Sequence, residues 1–406
     1  MAQGSVLIVG AGHAGFQLAA SLRQHGFAER IVLFNDEAHL PYQRPPLSKA
    51  YLKGEGRPDS LMFRPDKFSR DQNIELTADR AVSIDRAARR LLLASGPSLD
   101  YGHLVLATGA RNRLLDIPNA SLEDVRYLRT LDESETLRQQ IAPGQRVVVV
   151  GAGFIGLEFA ATARAKDLEV DVVELGPRVM ARAVTAEISE FFQDRHAAAG
   201  IRIHFGVQAT SIESDGKRVT GVSLSDGRHI PADLVVVGVG VLPNVELAAE
   251  SGLPVGSGII VDEQLLTSDP HVSAIGDCAL FESPRFGAPL RLESVQNAAD
   301  HARCVAVRLT GDAKTYDGLP WFWSDQGPDK LQIAGLTTGY DRVVVRGDSG
   351  QGSFSAFCFK SGRLVGVESV NRASDHVFGR RILGLNRSIE PEQAADPSFD
   401  LKAALA

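Results

Sequence analysis

The chain has 406 residues, 44% of them hydrophobic and 23% charged, which supports a large buried core and suggests two or three domains of roughly 150 residues each. Its net charge of -7 excludes the strongly basic footprint of a nucleic-acid binder. The three cysteines, Cys278, Cys304 and Cys358, are too widely spaced to form a CxxC redox pair or a metal knuckle, so no metal site is expected. No apolar run approaches the roughly 18 residues of a membrane-spanning helix. The opening MAQGSVLIVGAG enters an apolar strand almost at once, which leaves no room for a secretory leader. The expectation is a cytoplasmic protein with reduced thiols.

In chain order, Val6 to Val9 reads as a strand ending in Gly10, Ala14 to Gln24 as a helix, and Ile31 to Phe34 as a second strand. A proline-rich turn follows at 41–46, then a β-like stretch from Ile74 to Leu93, then the strand Leu104-Val-Leu-Ala-Thr-Gly-Ala110, which closes on a glycine turn. The same grammar returns at Val147 to Val150, Phe154 to Ala165 and Val170 to Val173, and closes with Leu234-Val-Val-Val-Gly-Val-Gly240. This is an internal repeat with a separation of about 140 residues. Val295 to Leu309 has a helical pattern. From Pro320 the chain turns to alternating runs such as Arg342 to Gly347 and Phe354 to Phe359, which read as a strand-rich third domain, and only the last dozen residues look weakly specified.

Two loops carry the chemistry. Gly10-Ala-Gly12-His-Ala14-Gly15 and Gly151-Ala-Gly153-Phe-Ile-Gly156 each follow a strand and open a helix, the context that makes GxGxxG a dinucleotide fingerprint. One glycine allows the tight turn, one lets backbone approach a pyrophosphate, and one lets helix pack on strand, while the helix N-terminus attracts phosphate. An acid should end the second strand and hold ribose hydroxyls. Asp36 or Glu37 is placed for this in the first unit and Glu174 in the second. A carboxylate at 174 favours NADH over NADPH, although Arg178 and Arg182 lie close enough downstream to hold a 2′-phosphate. Thr108, Gly109 and Gly240, in the closing turns, are further candidates for cofactor contact. Two dinucleotides in one chain imply electron relay, commonly between a flavin and a nicotinamide.

Three further strings carry a resemblance: Arg44-Pro-Pro-Leu-Ser-Lys49, Thr267-Ser-Asp-Pro270 leading to Ala274-Ile-Gly-Asp277, and Pro320-Trp-Phe-Trp-Ser-Asp-Gln326. With them the chain resembles the NADH-dependent ferredoxin reductases of bacterial cytochrome P450 and ring-hydroxylating dioxygenase systems, the putidaredoxin-reductase type. The resemblance implies an α/β fold with two Rossmann-like dinucleotide-binding domains (glutathione-reductase-like) plus a C-terminal α+β domain. Residues 1–112 and 245–319 would bind FAD, 113–244 NADH, and 320–406 would form an interface domain.

By the same resemblance, Lys49 lies at the start of a helix, places its ammonium near the flavin and pairs with Glu158. Asp277 meets the ribitol, Val295 begins a helix aimed at the flavin ring, and Ala14, Asp36, Val82 and Arg129 touch FAD. Trp323 is the candidate electron exit, at the surface where an acidic [2Fe-2S] ferredoxin docks. The charge pattern agrees: from Lys330 through Arg387 nine basic residues face four acidic ones.

The residues also weigh against relatives of the same fold. Disulfide reductases need a CxxC, and peroxide reductases need a cysteine soon after the first helix; residues 35–60 hold none. Rubredoxin and monodehydroascorbate reductases share both loops and are disfavoured by the 321–326 string. A redox-switched binding flavoprotein, like apoptosis-inducing factor, stays open as a different class.

Overall fold

The computed structural model describes residues 4–312 and 314–405, which form two compact units. The first comprises residues 1–43, 59–111 and 242–320, the second 44–58, 112–241 and 321–406, within those described bounds.

The centre of the first unit is a five-stranded parallel sheet in the order Val272–Ala274, His103–Leu106, Val6–Val9, Ile31–Phe34, Ile74–Thr77. Val6 pairs with both Ile31 and His103. All four residues of Val6–Val9, Ile31–Phe34 and His103–Leu106 are buried, as expected for parallel strands covered on both faces. Leu18 and Leu22 of the helix His13–Gln24 and Val305 of the helix Val295–Leu309 belong to the same core.

The second unit repeats the plan, with a parallel sheet in the order Arg202–Phe205, Glu169–Glu174, Arg146–Val150, Leu234–Val237, Val125–Tyr127. In each unit a three-stranded antiparallel meander, 81–100 or 209–231, intervenes before the returning strand. The sheets differ at one edge. The first takes its outer strand from late in the chain (272–274), the second from before the repeat (125–127).

The second unit also contains an antiparallel sheet of Trp321–Gln326, Asp329–Gly335, Arg363–Val370, Ser353–Lys360 and Arg342–Asp348, with the helix Ala373–Gly384 beside it.

Two expectations need correction. Ile74 to Leu93 is not one β stretch: Ile74–Thr77 joins the parallel sheet, and Ala81–Asp85 with Arg90–Leu93 belongs to the meander. The end of the chain is well specified, because buried Arg346 donates to the carbonyls of Asp396, Pro397 and Phe399, and Leu401 is buried in the 3-10 turn Leu401–Leu405. Those contacts come from a distant strand, so local composition could not show them. Among the described residues no helix is long and apolar enough to cross a membrane.

Candidate functional site

In the first unit the glycines of the 10–15 turn differ in what surrounds them. A Cβ on Gly10, whose φ is +105°, would sit 2.3 Å from the Ala107 carbonyl oxygen, and one on Gly15 would sit 1.9 Å from the Gly10 carbonyl oxygen. A Cβ on Gly12 would meet nothing within 4 Å. Gly10 and Gly15 thus let strand, turn and helix close together, while Gly12 keeps the helix mouth open. The first helical turn carries no acid, so its N–H groups and positive dipole end face that opening uncompensated. A pyrophosphate fits this cradle.

The 276–278 turn reaches the same helix. A Cβ on Gly276 would lie 3.0 Å from Ala14 Cβ and 3.8 Å from Ala298 Cβ, so Ala14, Asp277 and the helix start at Val295 converge. Ser294 caps that second helix by accepting the Asn297 N–H at 3.1 Å, and its first turn is also free of acids. His301 accepts the Gly276 N–H on Nδ1 at 3.2 Å. Burial pushes its imidazole down to about 3, which keeps that nitrogen an acceptor. Asn244 braces the other side, donating from Nδ2 to the Thr108 carbonyl at 2.8 Å and from its backbone N–H to the Gly109 carbonyl at 2.9 Å. His301 and Asn244 were not singled out from the sequence, because no motif marks either.

The acid expected after the second strand is less clear-cut. Phe34 stands opposite Val9, so the residue facing the glycine turn is Asn35, whose amide donates to the carbonyls of Glu37 (3.0 Å) and His39 (2.6 Å). Glu37 accepts the Tyr42 hydroxyl, whereas Asp36 is exposed. Val82 lies half-buried in the meander strand Ala81–Asp85.

The second unit builds the same cradle. A Cβ on Gly151 would come 2.6 Å from the Gly238 carbonyl oxygen and one on Gly156 2.2 Å from that of Gly151, but one on Gly153 would have its nearest neighbour at 3.9 Å. Glu174 ends the adjacent strand. Its two carboxylate oxygens accept the N–H groups of Ala152 and Gly176, both at 2.7 Å, and each keeps a lone pair for a ribose hydroxyl. Arg178 donates to the carbonyls of Ala181, Val184 and Thr185 at 2.9, 2.9 and 3.2 Å. Its guanidinium is therefore committed to backbone. Arg182 is exposed, with one nitrogen 4.0 Å from a Cβ position on Gly240.

Also in the second unit, Lys49 follows the 3-10 turn Pro45–Ser48 and precedes the short helix Ala50–Lys53, while Glu158 lies on the helix Phe154–Arg164. Lys49 Nζ is 2.7 Å from Glu158 Oε2, which also accepts the Ser48 hydroxyl at 2.6 Å. Glu158 Oε1 accepts the Ser324 hydroxyl at 2.6 Å. Glu158 is 2% exposed, so its charge is sustained by an ammonium and two hydroxyls instead of water.

Ser324 sits on the strand Trp321–Gln326, where side chains alternate between faces. Phe322 packs on Phe154 at 4.6 Å and Ser324 reaches Glu158, so this face meets the Glu158 helix. Trp321 and Trp323 lie on the other face as a tilted pair with ring centroids 5.8 Å apart, with Arg380 placed 5.0 Å over the Trp321 ring. The structure thus joins Lys49 to Glu158 and sets Trp323 on the opposite side of the sheet. Arg129 has its N–H bound by Glu133 at 2.7 Å and its carbonyl by Arg44 at 2.8 Å.

Residues 4–302 match the pyridine nucleotide-disulphide oxidoreductase family, and residues 321–405 match the reductase C-terminal family. The chain belongs to the pyridine nucleotide-disulphide oxidoreductases. Within that family it falls among the ferredoxin reductases of the putidaredoxin-reductase type. It is 51% identical over 403 residues to rhodocoxin reductase of Rhodococcus erythropolis, covering 99% of this chain and 94% of that one. The crystal structure of the ferredoxin reductase for the CYP199A2 system from Rhodopseudomonas palustris matches with a TM-score of 0.98 and 72% identity, over 100% of both chains. The covalent putidaredoxin reductase-putidaredoxin complex matches with a TM-score of 0.97 and 39% identity, over 100% of this chain and 99% of that one.

This oxidoreductase therefore uses a flavin and a nicotinamide nucleotide, and it does so without the disulphide of the family's description. Cys278, Cys304 and Cys358 are all buried and unbonded. Burial raises the pKa of each of the three thiols, which keeps them unreactive.

Proposed function

We propose that this chain is an FAD-containing ferredoxin reductase that takes hydride from NADH and passes single electrons to a [2Fe-2S] ferredoxin serving a cytochrome P450 or a ring-hydroxylating dioxygenase. The observation that carries the reading is the pair of cradles in one chain, each with its middle glycine open and its outer glycines closed against backbone. The nicotinamide supplies hydride, and the flavin turns a two-electron donor into a one-electron one.

The protein's part is to bind, orient and set charge. Gly10, Gly12, Gly15, Ala14, Asp277 and the helix start at Val295 hold FAD, with Thr108 and Gly109 beside them. Asp36, Val82 and Arg129 complete the set. Gly151, Gly153, Gly156, Glu174 and Gly240 hold NADH. The NADH preference is supported by Glu174 and by the engagement of Arg178 with three carbonyls, which keeps that guanidinium from a 2′-phosphate. Lys49, held by Glu158, supplies positive charge where negative charge develops on reduction. Residues 1–112 with 245–319, 113–244 and 320–406 serve as the FAD, NADH and interface domains. A cytoplasmic setting, where thiols stay reduced, suits the three unbonded cysteines.

The ferredoxin docks on the C-terminal domain near Trp323. Burial sharpens the charge pattern there: of the four acids between 330 and 387, Glu368 and Asp375 are buried, whereas of the nine bases only Arg346 is. The surface that remains favours an acidic protein.

The test is reconstitution. Purified protein should carry one FAD per chain, and its NADH-driven cytochrome c reduction should depend on an added [2Fe-2S] ferredoxin and weaken as salt rises. A rubredoxin or quinone that restores more activity than every ferredoxin tried would overturn the acceptor.

A further inference from the structure

The support of Glu158 does not stop at Ser324. Ser324 Oγ accepts from Gln326 Nε2 at 3.3 Å, and Gln326 Oε1 lies 2.8 Å from Nε2 of His196 on the helix Ala186–Ala198. His196 is 4% exposed, and burial lowers its pKa, so at neutral pH the ring carries one N–H, placed on Nε2 by its acceptor. The direction of every bond follows. His196 donates to the Gln326 carbonyl, the Gln326 amide donates to Ser324, and the Ser324 hydroxyl donates to Glu158. The chain of donors runs one way and ends on the one group able only to accept, so each bond polarises the next toward the carboxylate.

Two alternating positions of one strand make this possible. Ser324 and Gln326 share the face of Phe322, which packs on Phe154 at the start of the Glu158 helix. On the other carboxylate oxygen, Lys49 and Ser48 both donate to Oε2, and Oε1 depends on Ser324. Without that hydroxyl a buried carboxylate oxygen lacks its donor, and the carboxylate must turn toward Ser48 and Lys49 to satisfy both oxygens, which moves the ammonium it holds.

We infer that Ser324, backed by Gln326 and His196, is the positioning residue of this reductase: it fixes the Glu158 carboxylate and, through it, the Lys49 ammonium for reduction by NADH. The inference rests on the reading of Lys49 and Glu158 as the pair that sets charge for that step.

The experiment is rapid mixing of the flavoprotein with saturating NADH, comparing Ser324→Ala, Ser324→Val and Ser324→Thr. Thr keeps the hydroxyl, and Val has its shape without it. Flavin reduction should slow by about tenfold in Ala and Val, the size expected for losing a hydrogen bond to a charged group, and stay within about twofold of the parent in Thr. In a Glu158→Gln background, Ser324→Ala should add less than about twofold. Thermal unfolding gives a second readout, in which the midpoint losses of Ser324→Ala and Glu158→Gln should sum to more than the loss in the double variant.

A Val variant as fast as the parent, or an Ala effect that persists in full beside Glu158→Gln, overturns the positioning role. If Glu158→Gln itself leaves reduction unchanged, the underlying reading of Lys49 and Glu158 fails instead, and the unfolding cycle still reports whether Ser324 and Glu158 interact.

Discussion

The hydroxyl of Ser324 meets Glu158 Oε1 at 2.6 Å across 166 positions of sequence, and Lys49 meets the other oxygen at 2.7 Å across 109. A strand late in the chain and a turn near its beginning thus share one buried carboxylate.

Breaking that group from either side should have unequal costs. Lys49→Ala leaves a carboxylate that is 2% exposed without its counter-ion, and it should lower stability by about 3 kcal/mol. Glu158→Gln leaves a neutral amide whose oxygen still accepts from one serine and whose NH2 can donate to the hydroxyl of the other, and an ammonium with partial access to water, so it should cost less than half as much. Both variants should retain flavin and slow its reduction by NADH about tenfold or more. Denaturation midpoints and flavin content decide this, and equal destabilisation by the two variants argues against a buried charge.

The glycines of each loop should separate cleanly. Gly15→Ala and Gly156→Ala force a Cβ to within 1.9 and 2.2 Å of a carbonyl oxygen, so these proteins should fold poorly. Gly12→Ala and Gly153→Ala meet no such clash and should fold. The first should then weaken flavin retention, and the second should raise KM for NADH while flavin stays bound. Normal flavin retention by Gly12→Ala would show that the open middle glycine plays no part in holding the flavin nucleotide.

The nucleotide preference should depend on Glu174. Glu174→Ala removes the acceptor of the Ala152 and Gly176 N–H groups as well as the charge, so kcat/KM for NADH should fall about tenfold and the gap to NADPH should narrow. Arg178→Ala should cost stability, since three backbone carbonyls lose their donor, and should not reduce NADPH use. Arg182 is the side chain to change if residual NADPH activity is found.

Acid should destabilise the fold through its histidines. Burial brings both His103 and His301 down to about 3, against about 6.5 in an unfolded chain. Because the folded values are depressed, the unfolded chain takes up protons first as pH falls. The stability of the neutral rings is whole above about pH 6.5 and is lost progressively down to about pH 3. Each histidine contributes at most about 1.4 kcal/mol per pH unit inside that window. Thermal midpoints should climb from about pH 4.5 to 6.5 and level off above. His103→Gln should flatten the climb, and a profile already flat in the parent would sink the assignment.

Much of this protein is written locally. A strand, a glycine turn and a helix occupy about 30 consecutive residues, so both nucleotide loops, their strand boundaries and the helix from Val295 to Leu309 could be read from apolar periodicity and glycine placement. The cysteine spacing likewise argued against a CxxC redox pair and a metal knuckle. Other features depend on which segments pack together. Gly151 needs its shape because Gly238 presses on it, Arg178 is occupied because three carbonyls converge on it, and Asn35 takes the place opposite Gly10 because of sheet register. Period-two alternation separates Trp323 from Ser324, but only the packed sheet decides which face meets Glu158. Sequence alone determined that two nucleotides bind. The tertiary structure decided how the Glu158 carboxylate is held, because a buried carboxylate takes its partners from whatever distant segments the fold brings within hydrogen-bond reach.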